Sequence, residues 1–89
     1  MIIVKFTSNF KRTYNKLIRK QPELGFEVLE KLLLFSINPY NPTLDTHKLK
    51  GKLSQMWPFT IRYDLRILFY FENDQIVTLV DIGTHNEVY

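Results

Sequence analysis

The alternation of apolar and polar positions begins with a short strand and a helix. Residues 2–6 form an apolar run that contains β-branched side chains, which favours a strand. The polar triplet after it, Thr7, Ser8 and Asn9, is typical of a helix N-cap. Apolar residues then recur at i, i+4, i+7 and i+8 along one predicted helix face. They are Phe10, Tyr14, Leu17 and Ile18.

A second helix is predicted over residues 22–37, because Pro22 is tolerated in a first helical turn and Glu23 suits its positive end. Its inner stripe is apolar and is followed by Asn38 and Pro39, which end a helix. The stripe consists of Leu24, Val28, Leu32 and Phe35. Two helices with so short a connection are expected to form an antiparallel hairpin.

The sequence then predicts three strands that are separated by short polar turns. They are Trp57–Arg62, Leu65–Phe71 and residues 75–82. Leu65–Phe71 scarcely alternates, so we expect it to be mostly buried near the middle of a sheet. Pro58 predicts that its strand begins there or lies at an edge. The expected fold is α+β: an N-terminal strand, an antiparallel helical hairpin and a three-strand antiparallel meander, in one domain spanning residues 1–89.

The amino-acid composition excludes several kinds of site and of protein. The 89 residues include no cysteine, which excludes disulfides and thiolate metal sites. No apolar run approaches the ~20 residues that span a bilayer, and the N-terminus does not resemble a signal peptide. We therefore expect a soluble, cytoplasmic protein without a membrane partner.

The net charge of +3 is unevenly distributed. Residues 1–20 carry six lysines and arginines and no acid, and residues 48–66 carry five against Asp64 alone. Around residues 11–20 a solvated helix face accounts for the charge. Between 48 and 66 the cations alternate with Trp57, Phe59 and Tyr63, which favours a nucleic-acid partner.

Arg66 is the unusual residue of the predicted central strand, because a guanidinium is rarely buried without a partner. It either pairs with an acid, with Asp64, Asp81 or Glu87 as candidates, or it points into a site. The two histidines, His47 and His85, are candidates for proton transfer near neutral pH. Their spacing does not suit a metal site, and no nucleophile or nucleotide-binding motif is present.

The meander should bring several of these groups to one end of the sheet. A hairpin places Arg66 and the segment after Ile82 at the same end, and the loop over residues 46–52 is expected to reach that end as well. Such a set, with Lys50 and Lys52, suits a phosphodiester: cations stabilise charge on phosphorus while histidine or tyrosine moves protons. With RNA the 2′-hydroxyl is the nucleophile, so no cofactor or metal is required.

The order of motifs resembles the RelE/ParE superfamily of bacterial toxins, and within it the mRNA-interferase branch of the RelE and YafQ type. The resemblance covers essentially the whole chain. It rests on a His-x-Leu-x-Gly loop, on the strand from Asp64 to Tyr70 and on a Gly-Thr-His ending followed by a terminal aromatic. The motif residues are His47, Leu49, Gly51, Arg66, Gly83, Thr84, His85 and Tyr89.

This resemblance implies the toxin of a type II toxin–antitoxin system, a metal-independent, ribosome-dependent mRNA endonuclease that inhibits translation. By position, His85 matches the C-terminal histidine that acts as general acid or base, and Arg66 the arginine on the scissile phosphate. His47 matches the loop histidine and Tyr89 the terminal aromatic. The expected RNA-binding residues are Lys48, Lys50, Lys52 and Arg62. A further histidine of YafQ-type sites falls near Ile61 and has no counterpart here.

The implied partners are a cognate antitoxin protein, the ribosome with its mRNA, and operator DNA bound through the antitoxin. The antitoxin should lie across the helical hairpin or the sheet and be acidic where it meets residues 11–20 or 48–66. Two alternatives share the fold: a ParE-like gyrase poison, and a degenerate, non-catalytic toxin that only binds its antitoxin.

Overall fold

A computed structural model describes residues 1–88 and has the predicted α+β architecture. The chain forms β1 (Ile3–Phe6), α1 (Ser8–Lys20), α2 (Leu24–Ile37), β2 (Trp57–Arg62), β3 (Leu65–Phe71), β4 (Ile76–Gly83) and α3 (His85–Val88). Two 3-10 turns, Pro42–Leu44 and Gly51–Leu53, interrupt the connection from α2 to β2. No helix in the described part of the chain is long and apolar enough to cross a membrane.

The four strands form one sheet in the order β1-β4-β3-β2. β2, β3 and β4 are the predicted antiparallel meander, and β1 pairs in parallel with β4. The prediction of an interior position for Leu65–Phe71 is confirmed, because β3 lies between β4 and β2. β2 is an edge strand, as Pro58 indicated, since an edge leaves its missing N–H outside the ladder.

One face of the sheet, which we call the helix face, packs against α1 and α2. Its core centres on Phe35 of α2, whose ring lies 4.5 Å from Phe59 and 4.8 Å from Phe69 between centroids. Phe35 is completely buried. Alternate residues of β3 reach this core, because side chains along a strand point to opposite faces. The opposite face, which carries Thr60, Arg66 and Leu68, is called the second face.

Two bulges change which side chains reach each face. Thr60 pairs with Arg66 but Arg62 pairs with Leu65, so Ile61 is an extra residue in β2. Leu68 pairs with Asp81 but Phe69 pairs with Leu79, so Val80 is the extra residue in β4. After the second bulge Ile82 lies in the core while Asp81 and Gly83 belong to the second face.

The helices begin where capping groups are available. The Thr7 hydroxyl accepts a hydrogen bond from Phe10 N at 3.0 Å, which confirms the predicted N-cap. Thr7 Oγ1 and Asn9 Nδ2 also donate to the carbonyl oxygen of Val80, at 3.1 and 2.9 Å. These bonds attach the start of α1 to the bulge of β4. α2 begins at Leu24, two residues later than predicted, because residues 21–23 form the turn between the helices.

Candidate active site

The second face carries a row of three paired residues near one end of the sheet. Arg66 lies between Thr60 on β2 and Gly83 on β4, as the direct partner of each. Directly paired residues of antiparallel strands point to the same face. The neighbours of Arg66 in β3, Leu65 and Ile67, belong to the core, so the Arg66 side chain is on the face away from α1 and α2.

Helix α3 covers this row beside Arg66. A methyl group added at Gly83 would lie 2.9 Å from Glu87 Oε1 and 3.3 Å from Val88 Cγ1. α3 therefore lies over the second face, directly above Gly83. Val88 and Leu68 are buried there, outside the helix-face core. His85, the first residue of α3, is exposed and lies two positions along the chain from the partner of Arg66.

The start of α3 is held by a reciprocal pair of hydrogen bonds. Thr84 N donates to Glu87 Oε1 at 2.8 Å, and Glu87 N donates to Thr84 Oγ1 at 3.3 Å. This is the capping box of a Thr-x-x-Glu sequence, in which each side chain satisfies the main-chain N–H of the other residue. Sequence reasoning missed α3, although this Thr-x-x-Glu spacing was the signal for it.

The Arg66 guanidinium has no carboxylate partner within residues 1–88. Its Nη1 donates to the carbonyl oxygen of Tyr63 at 3.0 Å, and neither ion pair of the described chain includes it. Asp81 accepts from Ile82 N at 2.9 Å, and Glu87 is used by Thr84. The alternative of a structural ion pair with Asp64, Asp81 or Glu87 is therefore wrong for this part of the chain.

The Arg62 side chain forms hydrogen bonds with helix α2. The bulge at Ile61 makes Arg62 the partner of Leu65, a core residue, and so turns its side chain towards the helix face. There Nε donates to Glu27 Oε2 of α2 at 2.7 Å, and Nη2 contacts Oε1. These hydrogen bonds lower the pKa of Glu27. We leave Arg62 out of the candidate site, because RNA binding by its side chain would require this pair to open.

The loop with the other predicted residues is attached at the opposite end of β2. Leu49 N donates to Met56 O at 3.1 Å, next to Trp57. Trp57 lies three residues along β2 from Thr60, the partner of Arg66, which corresponds to about 10 Å. The loop therefore joins the sheet at the Trp57 end of β2, and the expectation that residues 46–52 reach the Arg66 end stays a prediction.

His47 in this loop is exposed, and its Nδ1 lies 2.9 Å from the carbonyl oxygen of Asp45. Because a carbonyl oxygen can only accept, Nδ1 carries the proton in this bond and Nε2 of the neutral ring is the acceptor. Gly51 has φ of +74°, a conformation that favours glycine, which explains the glycine of the His-x-Leu-x-Gly motif. The flanking lysines are exposed and take part in no ion pair within residues 1–88. They are Lys48, Lys50 and Lys52.

The structure thus brings together Arg66 and the helix that begins with His85, and it adds Thr84 and Glu87 to them. Tyr89, the remaining predicted site residue, lies outside the described residues. Residues 1–88 contain no group of three or more histidine and acidic side chains that could hold a metal ion.

A groove lies on the other side of the molecule, between β1, α1 and α2. Its volume is about 390 Å³, and Lys11 and Asn15 stand at its rim. The lining is apolar and includes two strongly exposed side chains, Phe6 and Leu29 at 58% and 56%. Exposed cations continue from this rim along α1. They are Lys11, Arg12, Lys16 and Arg19.

Comparison with known proteins identifies the family of the chain. The family described as "Bacterial toxin of type II toxin-antitoxin system, YafQ" matches residues 2–89. The chain belongs to the YafQ family of type II toxin–antitoxin toxins. No curated protein matches it significantly.

Solved structures share the fold of this YafQ-family toxin. A copper-bound mutant toxin from Helicobacter pylori is 24% identical, with a TM-score of 0.75 and all of both chains covered. YafQ from E. coli strain BL21(DE3) is 16% identical, with a TM-score of 0.77 over 100% of this chain and 99% of that chain. A YoeB/ParE toxin from Agrobacterium tumefaciens is 14% identical, with a TM-score of 0.78, over 94% of this chain and 99% of that chain. One E. coli structure is a DinJ–YafQ complex.

Proposed function

We propose that this toxin is a metal-independent endoribonuclease that cuts mRNA on the ribosome in the cytoplasm and so inhibits translation. The observation that carries the proposal is the Arg66 guanidinium, which has no carboxylate partner in residues 1–88 and shares the second face with α3. A half-exposed guanidinium that no carboxylate neutralises is available to bind an anion through several hydrogen bonds. A phosphate group of RNA is that anion.

The reaction needs only groups of the RNA and of the protein. A general base removes the proton of a 2′-hydroxyl, and the oxygen bonds to the adjacent phosphorus. The bond from phosphorus to the 5′-oxygen breaks, and a general acid protonates that oxygen. The products are a 2′,3′-cyclic phosphate and a 5′-hydroxyl end. Arg66 donates hydrogen bonds to the phosphoryl oxygens, where negative charge increases in the transition state.

His85 is the proposed general acid or base, because it begins the helix beside Arg66 and histidine is the side chain that most often transfers protons in enzymes. His47 is proposed as a second proton-transfer group, with Nε2 as its acceptor. Tyr89 is proposed to orient a base or assist proton transfer.

Lys48, Lys50 and Lys52 are proposed to bind the RNA backbone, because three exposed ammonium groups without ion pairs form a concentrated positive surface. Such contacts would contribute affinity that decreases with salt rather than sequence preference. Ribosomal RNA would meet the same surface when the toxin binds the ribosome.

The decisive experiment maps mRNA ends by primer extension in cells that express the toxin without antitoxin. We expect cuts in the translated frame that disappear when translation is blocked, and that Arg66→Ala and His85→Ala abolish them. Lys20→Ala, a charge removal at the exposed C-terminal end of α1, is the matched control and should cut normally. Uncut mRNA together with accumulation of cleaved gyrase–DNA complexes would identify a gyrase poison instead. Normal growth on overexpression would identify a degenerate toxin.

The partner of a type II toxin is its antitoxin, and we propose that the antitoxin binds in the groove between β1, α1 and α2. The groove combines exposed apolar side chains with a row of cations on α1, and residues 1–20 contain no acid. An amphipathic segment with one apolar and one acidic face is complementary to both features. Operator DNA would then be reached through the antitoxin.

Binding measurements with the cognate antitoxin test this assignment. Phe6→Ser and Leu29→Ser should each weaken the complex by at least about tenfold, because each removes a large apolar contact. Ile37→Ser is the control: Ile37 is 70% exposed on the same helix as Leu29 but does not line the groove. Equal affinities for all three variants would place the antitoxin on another surface.

A further inference from the structure

The placement of His85 depends on a very short helix at the end of β4. β4 ends at Gly83, directly opposite Arg66, and α3 has only four residues. Isolated helices shorter than about 12 residues are marginal in water, so helix propensity cannot hold α3 in place. Other contacts must fix the main chain of His85.

The capping box supplies part of this restraint. Thr84 N donates to Glu87 Oε1 at 2.8 Å, and the return bond from Glu87 N to Thr84 Oγ1 measures 3.3 Å. In addition, Glu87 N and Val88 N lie 3.0 and 3.1 Å from the Thr84 carbonyl oxygen. His85 lies between the two residues that make these bonds, so its main chain is held from both sides.

Packing over Gly83 supplies the rest. A Cβ at this position would lie 2.9 Å from Glu87 Oε1, 3.1 Å from Glu87 Cβ and 3.3 Å from Val88 Cγ1. Only a residue without a side chain lets α3 approach β4 so closely. The Glu87 side chain therefore both caps the helix and rests on the strand that pairs with Arg66.

We propose that Glu87 and Thr84 are positioning residues, whose reciprocal hydrogen bonds above Gly83 hold His85 next to Arg66. This inference rests on the proposed nuclease function. It explains why Glu87, the acid nearest to His85 along the chain, does not neutralise Arg66: its carboxylate is bonded to Thr84. Displacing a catalytic group by about 1 Å can cost about 100-fold in rate, so loss of the restraint should be visible in turnover.

Substitutions at Glu87 separate positioning from a direct role of the carboxylate. Glu87→Gln keeps an oxygen that can accept from Thr84 N but removes the charge, whereas Glu87→Ala removes both. Asn86→Ala changes an exposed neighbour in the same helix and is the control. The assay is mRNA cleavage on purified programmed ribosomes, with kcat and KM measured separately.

We expect Glu87→Ala to lower kcat by about 10- to 100-fold with little change in KM, because substrate binding does not use Glu87. Glu87→Gln and Asn86→Ala should remain within about threefold of the unchanged protein. Gly83→Ala should resemble Glu87→Ala, since the added methyl group displaces α3. If Glu87→Gln is as impaired as Glu87→Ala, the charge itself acts and the positioning role is refuted.

A second measurement does not depend on activity. Amide hydrogen exchange at Thr84 and Glu87 should accelerate in Glu87→Ala but not in Glu87→Gln, and the NMR signals of the His85 ring should shift only in the former. Unchanged exchange and ring signals in Glu87→Ala would overturn the positioning role. Normal cleavage by His85→Ala and Arg66→Ala would instead refute the nuclease function, whatever the exchange data show.

Discussion

The helix face and the second face of the sheet each receive an arginine from the hairpin of β2 and β3. Arg62, at the helix face, forms a bidentate pair with Glu27 of α2. Arg66, four residues later on the second face, donates only to the carbonyl oxygen of Tyr63 within residues 1–88. The two guanidinium groups are chemically identical, but Arg62 has a carboxylate partner and Arg66 has none within residues 1–88.

The difference shows how one sheet serves stability on one side and binding on the other. On the helix face the rings of Phe35, Phe59 and Phe69 bury apolar area, and the nearby cation is neutralised. On the second face a cation stays without a counter-charge beside a small helix. Functional sites commonly keep groups that do not serve stability, while the rest of the fold stabilises the protein.

The largest expected loss of stability follows from a substitution at the centre of the helix face. Phe35→Ala should lower the free energy of unfolding by about 3–5 kcal/mol, because it removes a fully buried ring and leaves a cavity. Urea denaturation measures the change. Phe35→Leu, which keeps more of the volume, should lose clearly less. An equally small loss for both variants would show that this core is not tightly packed.

The two arginines should differ most clearly in activity. Arg66→Ala should lower mRNA cleavage by about 10²–10³-fold, comparable to the loss of a transition-state hydrogen-bond donor, with little change in unfolding free energy. Arg62→Ala should cleave normally, since Arg62 contacts Glu27 rather than the second face. Single-turnover cleavage of ribosome-bound mRNA measures both. Equal losses for the two variants would contradict the division between the faces.

A smaller change in unfolding free energy is expected from a substitution at Thr78, on the second face. Its side chain is buried, at 6% exposure, and its hydroxyl has no hydrogen-bond partner among residues 1–88. Thr78→Val removes the unsatisfied hydroxyl at nearly constant volume and should raise the unfolding free energy by up to about 1 kcal/mol. Thermal unfolding tests this against Thr60→Val, a substitution at a less buried position of the same face. A destabilised Thr78→Val would mean that the hydroxyl has a partner in solution.

The smallest change in unfolding free energy is expected when the Arg62–Glu27 pair is removed, because both side chains are exposed. Its hydrogen bonds lower the pKa of Glu27 from the ordinary value of 4.5. The pair therefore contributes stability above the unfolded pKa, and this contribution disappears as pH falls through the lower folded pKa. Glu27→Gln should reduce the loss of stability on acidification, whereas Glu30→Gln, a matched exposed change on α2, should reduce it less. Denaturation at a series of pH values compares them; identical profiles would show that the pair contributes nothing.

Periodicity and turn residues predicted much of the fold. The bounds of β2 and β3 were correct, because each strand is a dense run of aromatic and branched residues closed by a polar turn. α3 was missed, since four residues are too few for a periodic signal, and only the Thr84-x-x-Glu87 spacing marked it. The placement of the loop over residues 46–52 near Arg66 stays a prediction, because its hydrogen bond to Met56 fixes only where it joins β2.

The sequence by itself determined the order of helices and strands, the central place of Leu65–Phe71 and the excess of positive charge, since these follow from local pattern and composition. Tertiary structure alone decided the surroundings of the arginines. The bulge at Ile61 turns Arg62 to Glu27, and the pairing of Arg66 with Gly83 puts it beside α3. A bulge shifts strand register by one residue and so exchanges faces, and this depends on contacts between strands that are distant along the chain.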